Sequence, residues 1–274
     1  MTKAEYLTNK DVVSFVYWIR DRIEKNGKFT HEYINNQLEE VWKCDGIFDA
    51  SKKYVVNGFD FETTQSGLEK LKNKIKQSIE NNNSEACRKA CKDILLWGGV
   101  APKNKDKITE LDKKDVLISY LLSVKEFVCK NKYDIKELPQ ELISNAGFTK
   151  IYSLLCNNFI IYDSRVAATL CYFIRVFLSE THIDGSKLIP DVLNFKIMSN
   201  KGNNQRNPSG NGYKFEYTNN DQQKHFESNI KANWLFSMIL EDETEFSKNY
   251  SDFSTQLKAL ENAFFMIGYS LPSP

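Results

Sequence analysis

Residues 144–166 read Ser144-Asn145-Ala146-Gly147-Phe148-Thr149-Lys150-Ile151-Tyr152-Ser153-Leu154-Leu155-Cys156-Asn157-Asn158-Phe159-Ile160-Ile161-Tyr162-Asp163-Ser164-Arg165-Val166. Asn145 to Gly147 is turn chemistry, and a helical pattern runs from there to about residue 157. Phe159 to Tyr162 is a short extended link. Asp163 then opens a strongly apolar helix, Ser164 to Leu178, with Val166, Leu170, Phe173, Ile174 and Phe177 inward. A turn before a helix leaves the amides of Phe148, Thr149 and Lys150 without intrahelical partners, which predicts an anion site suited to a phosphate. Asp163 at the head of the second helix is a helix cap. An anion held there beside a cleft can also stabilise a developing cation or activate a water.

Further helical stripes lie on either side. They cover residues 10–26 (Val12, Val13, Val16, Ile19, Ile23), stopped by Asn26-Gly27, and 31–43 (Ile34, Leu38, Val41, Trp42). Residues 45–63 read as irregular. Helices follow at 65–80 and at 85–97, the second ending at Trp97-Gly98-Gly99. Pro102 to Lys107 reads as a basic loop, 113–130 as a long helix, and Pro139 as the start of a short helix at 139–144. Residues 199–221 are Asn- and Gly-rich and predict a long loop. Helices at about 222–241 and 253–267 close the chain. No repeat and no clear sheet is visible, so the predicted fold class is all-α.

The 274 residues are 41% hydrophobic and 27% charged, which gives a core and excludes wholesale disorder. Net charge is +1, so no bulk field selects a partner. The charge is nevertheless uneven: Lys70 to Lys107 holds ten basic and four acidic residues, and Glu216 to Glu261 nine acidic and four basic. A basic face of that kind is either a solvated surface or a phosphate-binding one. No apolar run reaches membrane-spanning length, and the polar start Met1-Thr2-Lys3-Ala4-Glu5 predicts a cytoplasmic protein. The six Cys and three His (His31, His182, His225) show no metal spacing, so neither a metal nor a cofactor is expected.

Gly147-Phe148-Thr149-Lys150, followed by Ile161-Tyr162-Asp163-Ser164-Arg165-Val166, resembles the helix-hairpin-helix DNA glycosylases. That resemblance implies two helical lobes, here about 1–108 and 109–274 of one domain, with a cleft near 145–178. It implies double-stranded DNA with a damaged or modified base as the partner, with no membrane and no obligate protein partner. A base is flipped into the cleft for its glycosidic bond to be reached. Asp163 would take the family's catalytic-aspartate role. Lys150 would stand where members that also cut the strand have their Schiff-base lysine, although the 13-residue interval to Asp163 is shorter than usual. Gly147, Phe148 and Thr149 would form the phosphate-gripping hairpin, and Arg165 and Arg206 would be further DNA contacts. Together with the terminal helix Leu260 to Tyr269, Tyr162 to Val166 is also similar to bacterial proteins of this type, some of whose relatives act against phage with modified DNA.

Each of these residues also has an ordinary reading. Asp163 can be a cap alone, Lys150 a solvated lysine, Arg165 a salt-bridge partner and Arg206 a free loop arginine. Trp97 can anchor a core or stack on a base, and Glu261 can face solvent or the cleft. The competing function is a non-catalytic helical module that binds nucleic acid or protein.

Overall fold

A computed structural model describes residues 1–24, 28–36, 39–56, 58–134, 137, 142–181, 187–199 and 204–272. The chain is mainly helical, as its stripes predict. Twelve α-helices stand among the described residues: α1 Lys3–Leu7, α2 Lys10–Glu24, α3 Ile47–Lys52, α4 Phe61–Glu80, α5 Ser84–Trp97, α6 Ala101–Lys113, α7 Leu117–Cys129, α8 Phe148–Leu155, α9 Ser164–Thr181, α10 Gln222–Ile239, α11 Glu245–Asn249 and α12 Phe253–Ile267. Side-chain caps fix several starts. Asp60 accepts the Thr63 amide and so begins α4 four residues before the apolar stripe does. Asn83 does the same for α5, Asp221 for α10 and Asp252 for α12.

Four readings are corrected. Residues 31–43 are not helical: β1 His31–Asn35 and β2 Glu40–Cys44 form an antiparallel hairpin that pairs Tyr33 with Trp42 and Ile34 with Val41. His31, Tyr33 and Asn35 alternate inward, which is the two-residue period of a strand. Ile34 and Val41, which made the helical stripe, are exposed, and Leu38 lies outside the described residues. The irregular segment 45–63 contains α3. The basic loop 102–107 lies within α6, where Pro102 sits in the first turn and needs no amide partner. Of the short helix at 139–144, residues 139–141 lie outside the described residues and 142–144 are not helical. Asn26-Gly27 also lies outside them.

The helices divide into two groups, but not at residue 108. Helices α4 to α8 pack on one another. Helices α1, α2 and α3 pack instead on α9, α10 and α12. The first and last parts of the chain therefore form one group, and the middle forms the other. Gly268 lets the end of α12 lie against the start of α9: a Cβ there would strike the Arg165 carbonyl. The buried apolar residues of both groups form one contiguous cluster. Among the described residues no helix is long and apolar enough to cross a membrane.

Candidate active site

Between α8 and α9 the chain runs extended through Phe159 to Tyr162, with no strand paired to it among the described residues. Its backbone still needs partners, and distant polar side chains supply them. Asn233 Oδ1 accepts the Ile160 amide at 3.0 Å, and Asn229 Nδ2 donates to the Ile160 carbonyl at 3.1 Å. Glu261 Oε2 accepts the Ile161 amide at 2.9 Å. The link is thus tied to α10 and α12, and it delivers Asp163 to a fixed place.

The two carboxylate oxygens of Asp163 have different partners. Oδ1 accepts the amides of Arg165 and Val166 at 3.0 and 3.1 Å, so the cap is real. Oδ2 stands 3.7 Å from Lys150 Nζ. Both side chains are buried, and Lys150 Nζ also donates to the Ala146 carbonyl at 3.3 Å. The short interval between the two residues therefore does not keep them apart.

Both residues line a pocket of about 360 Å³ where the two helix groups meet. Its size falls in the range of small-molecule sites. Trp97, Ile161 and Phe265 give it apolar walls. One face of α12 forms another side through Lys258, Glu261, Asn262 and Phe265, a spacing of three, four and seven residues along the helix. Glu261 thus faces the cleft and not solvent. Its carboxylate holds Lys258 Nζ at 2.9 and 3.0 Å, and burial pushes its pKa above the ordinary carboxylate range. Gly98 makes room for Lys150: a Cβ there would overlap the Lys150 methylenes.

The hairpin expected to grip phosphate is closed, which corrects the reading of Gly147, Phe148 and Thr149 as DNA contacts. Asn145 Oδ1 takes the Gly147 and Phe148 amides at 2.8 and 3.2 Å. The Asn145 carbonyl takes the Thr149 amide, and the Gly147 carbonyl takes that of Lys150. Phe148 and Thr149 are fully buried, and Gly147 abuts the Asn104 carboxamide. None of the four amides from Gly147 to Lys150 is left over for an anion.

Arg165 lies at the pocket with its guanidinium 4.3 Å from the Phe265 ring centre and 4.9 Å from that of Tyr269. Arg206 is not a free loop arginine. It donates to the Tyr269 carbonyl and to Ser164 Oγ, both at 3.2 Å. Tyr162 is fully buried and donates to the Lys196 carbonyl at 2.7 Å, so it does not offer a stacking face. Trp97 is partly buried at the pocket wall. Of the basic stretch, Arg88 and Lys107 are paired with Asp112 and Glu110, whereas Lys70, Lys103 and Lys105 have no ion pair among the described residues. Lys70 lines a hollow with Phe59 and Leu96 that shares Trp97 with the pocket.

The sequence did not single out Lys258, Asn262 or Gly98 as pocket residues. The available signal was a run of polar residues at one helical face within the apolar segment Leu257 to Ile267. Among the described residues no group of three or more His, Cys, Asp or Glu could hold a metal ion. Compared with family models, curated proteins and solved structures, the chain matches none.

Proposed function

We propose that the chain is a DNA glycosylase of the helix-hairpin-helix type, acting on a damaged or modified base flipped from the duplex. One observation carries this reading: a buried lysine and a capped aspartate, 3.7 Å apart, at a pocket between two helix groups. Oδ2 of Asp163, which caps no amide and is turned to Lys150, places a fixed negative charge at the pocket. It would stabilise the positive charge that develops on the sugar as the carbon–nitrogen bond breaks. Water adds its oxygen to the sugar carbon, and the base leaves with a proton. Lys150 holds the carboxylate's orientation and, once it has lost its proton, is the amine for a strand-cutting step. Arg165 beside the pocket and the unpaired Lys70, Lys103 and Lys105 are the candidate phosphate contacts. The role is base repair or defence against phage whose cytosines are modified.

The test is an abasic-site assay on duplexes with uracil, alkylated and oxidised bases, and on DNA with hydroxymethylated or glucosylated cytosine. Wild type is expected to leave alkali-labile sites on at least one of these. Asp163→Asn keeps the cap and removes the charge, so base release should fall by on the order of 10²–10³. That variant also strands the buried Lys150 charge. The double variant Lys150→Met with Asp163→Asn separates a folding loss from a catalytic one. Salt-sensitive DNA binding with no base release on any substrate would favour the non-catalytic binding module instead.

A further inference from the structure

Asn262 is 5% exposed and lines the pocket. Its Nδ2 is buried without a hydrogen-bond partner. The contrast with the residue before it is informative, because both oxygens of Glu261 are taken up by Lys258 and the Ile161 amide. A carboxamide offers two donors and an acceptor, and leaving the buried donor group unpaired is costly. Leucine would fill the same space on this apolar helix without that cost. An unpaired amide at a pocket is therefore a group waiting for a ligand.

We infer that Asn262 is the specificity-determining residue of the pocket and reads a ligand edge with a hydrogen-bond donor and an acceptor on neighbouring atoms. A carboxamide matches such an edge with two parallel hydrogen bonds, one given and one received. Lactam, imide and aminopyridine-like ring edges all have that pattern, and nucleobases belong to this class. Trp97, Ile161 and Phe265 supply apolar contact for the ring itself. The identification of the ring as a nucleobase rests on the glycosylase reading. The two-bond edge rests on Asn262 alone.

The experiment is calorimetric titration of the full chain and of Asn262→Leu and Asn262→Asp. The probes are free uracil, adenine and cytosine, the cyclic imide glutarimide, and difluorotoluene as a ring without a polar edge. Wild type should bind at least one polar-edged probe tenfold or more tighter than difluorotoluene. Asn262→Leu should erase that preference, and Asn262→Asp should weaken any probe whose edge needs the amide donor. Thermal melts should show Asn262→Leu as stable as wild type or more so, because no existing bond is lost. A base that binds wild type and Asn262→Leu with equal preference overturns the inference and leaves the nucleobase reading standing. Glutarimide binding lost in Asn262→Leu, with no base bound by either protein, does the reverse. No binding of any probe to wild type overturns both.

Discussion

Gly98 has no side chain where the Lys150 methylenes pass, and a Cβ at that position would overlap them. The backbone there is ordinary, with φ −76° at the end of α5, so conformation does not require glycine. The close approach does. Its neighbour Gly99 is the opposite case, with φ +65° and nothing within 4 Å of an added Cβ. Gly98→Ala should therefore push Lys150 away from Asp163 and cost less than about 1 kcal/mol of stability, since the displaced atoms end a flexible chain. Gly99→Ala should cost on the order of 1 kcal/mol through backbone strain and leave the Lys150–Asp163 pair in place. Base release should thus fall in Gly98→Ala and persist in Gly99→Ala, while the melting temperatures rank the other way. Equal rates in the two variants would disconnect Lys150 from the chemistry.

Much of the frame was legible because it rests on local rules. The inward stripe Val166, Leu170, Phe173, Ile174 and Phe177 is buried throughout, and Asp163 caps its helix. The hairpin at 31–44 was not legible as a strand pair, because Ile34 and Val41 chance to fall at helical spacing while their strands turn them to solvent. The meeting of Lys150 with Asp163 was implied only by family resemblance, since the link that sets their distance is held by Asn229, Asn233 and Glu261 from elsewhere in the chain. Nor did the turn at Asn145 reveal that its own side chain would close the amides it was expected to offer. Residues that come together from distant segments leave no periodicity to read; the exception is the polar face of α12, where Lys258, Glu261 and Asn262 recur at helical spacing.

His225 gives a prediction for acid. Its ring is buried, Nδ1 lies 2.8 Å from Ser144 Oγ, and burial pulls its pKa down from 6.5 to about 4. Asp163 acts in the opposite sense and more weakly. Above pH 6.5 neither the folded nor the unfolded chain holds the proton. Between pH 6.5 and about 4 the unfolded chain takes it up and the folded chain does not, so stability falls as the pH falls. The full effect is on the order of 3 kcal/mol. Urea unfolding at pH 7, 5.5 and 4.5 measures it. His225→Asn should flatten the profile above pH 4.5, after the common loss from carboxylates is subtracted. Parallel profiles for the two proteins would mean that His225 is protonated within the fold.

Arg206 separates a structural clip from a DNA contact. Its guanidinium joins three segments: the loop it belongs to, the Ser164 hydroxyl at the head of α9, and the Tyr269 carbonyl just beyond α12. The backbone repeats the link, since the Gln205 carbonyl accepts the Leu271 amide at 2.6 Å. The loop thus clamps the start of α9, where Asp163 sits, to the end of α12, which lines the pocket. Hydrogen bonds from a charged donor contribute about 1.5–3 kcal/mol, and the backbone bond survives any substitution. Arg206→Ala should therefore lower stability by about 1–3 kcal/mol. Arg206→Lys should recover part of this at best, because a single ammonium cannot reach both acceptors as the planar fork does. A residue that only tracked phosphate would behave differently, with unchanged melting and a shallower dependence of DNA affinity on salt. Thermal melts read beside salt titrations of duplex binding decide between them. Loss of stability with an unaltered salt slope is the outcome the geometry requires, and the converse would return Arg206 to the DNA face.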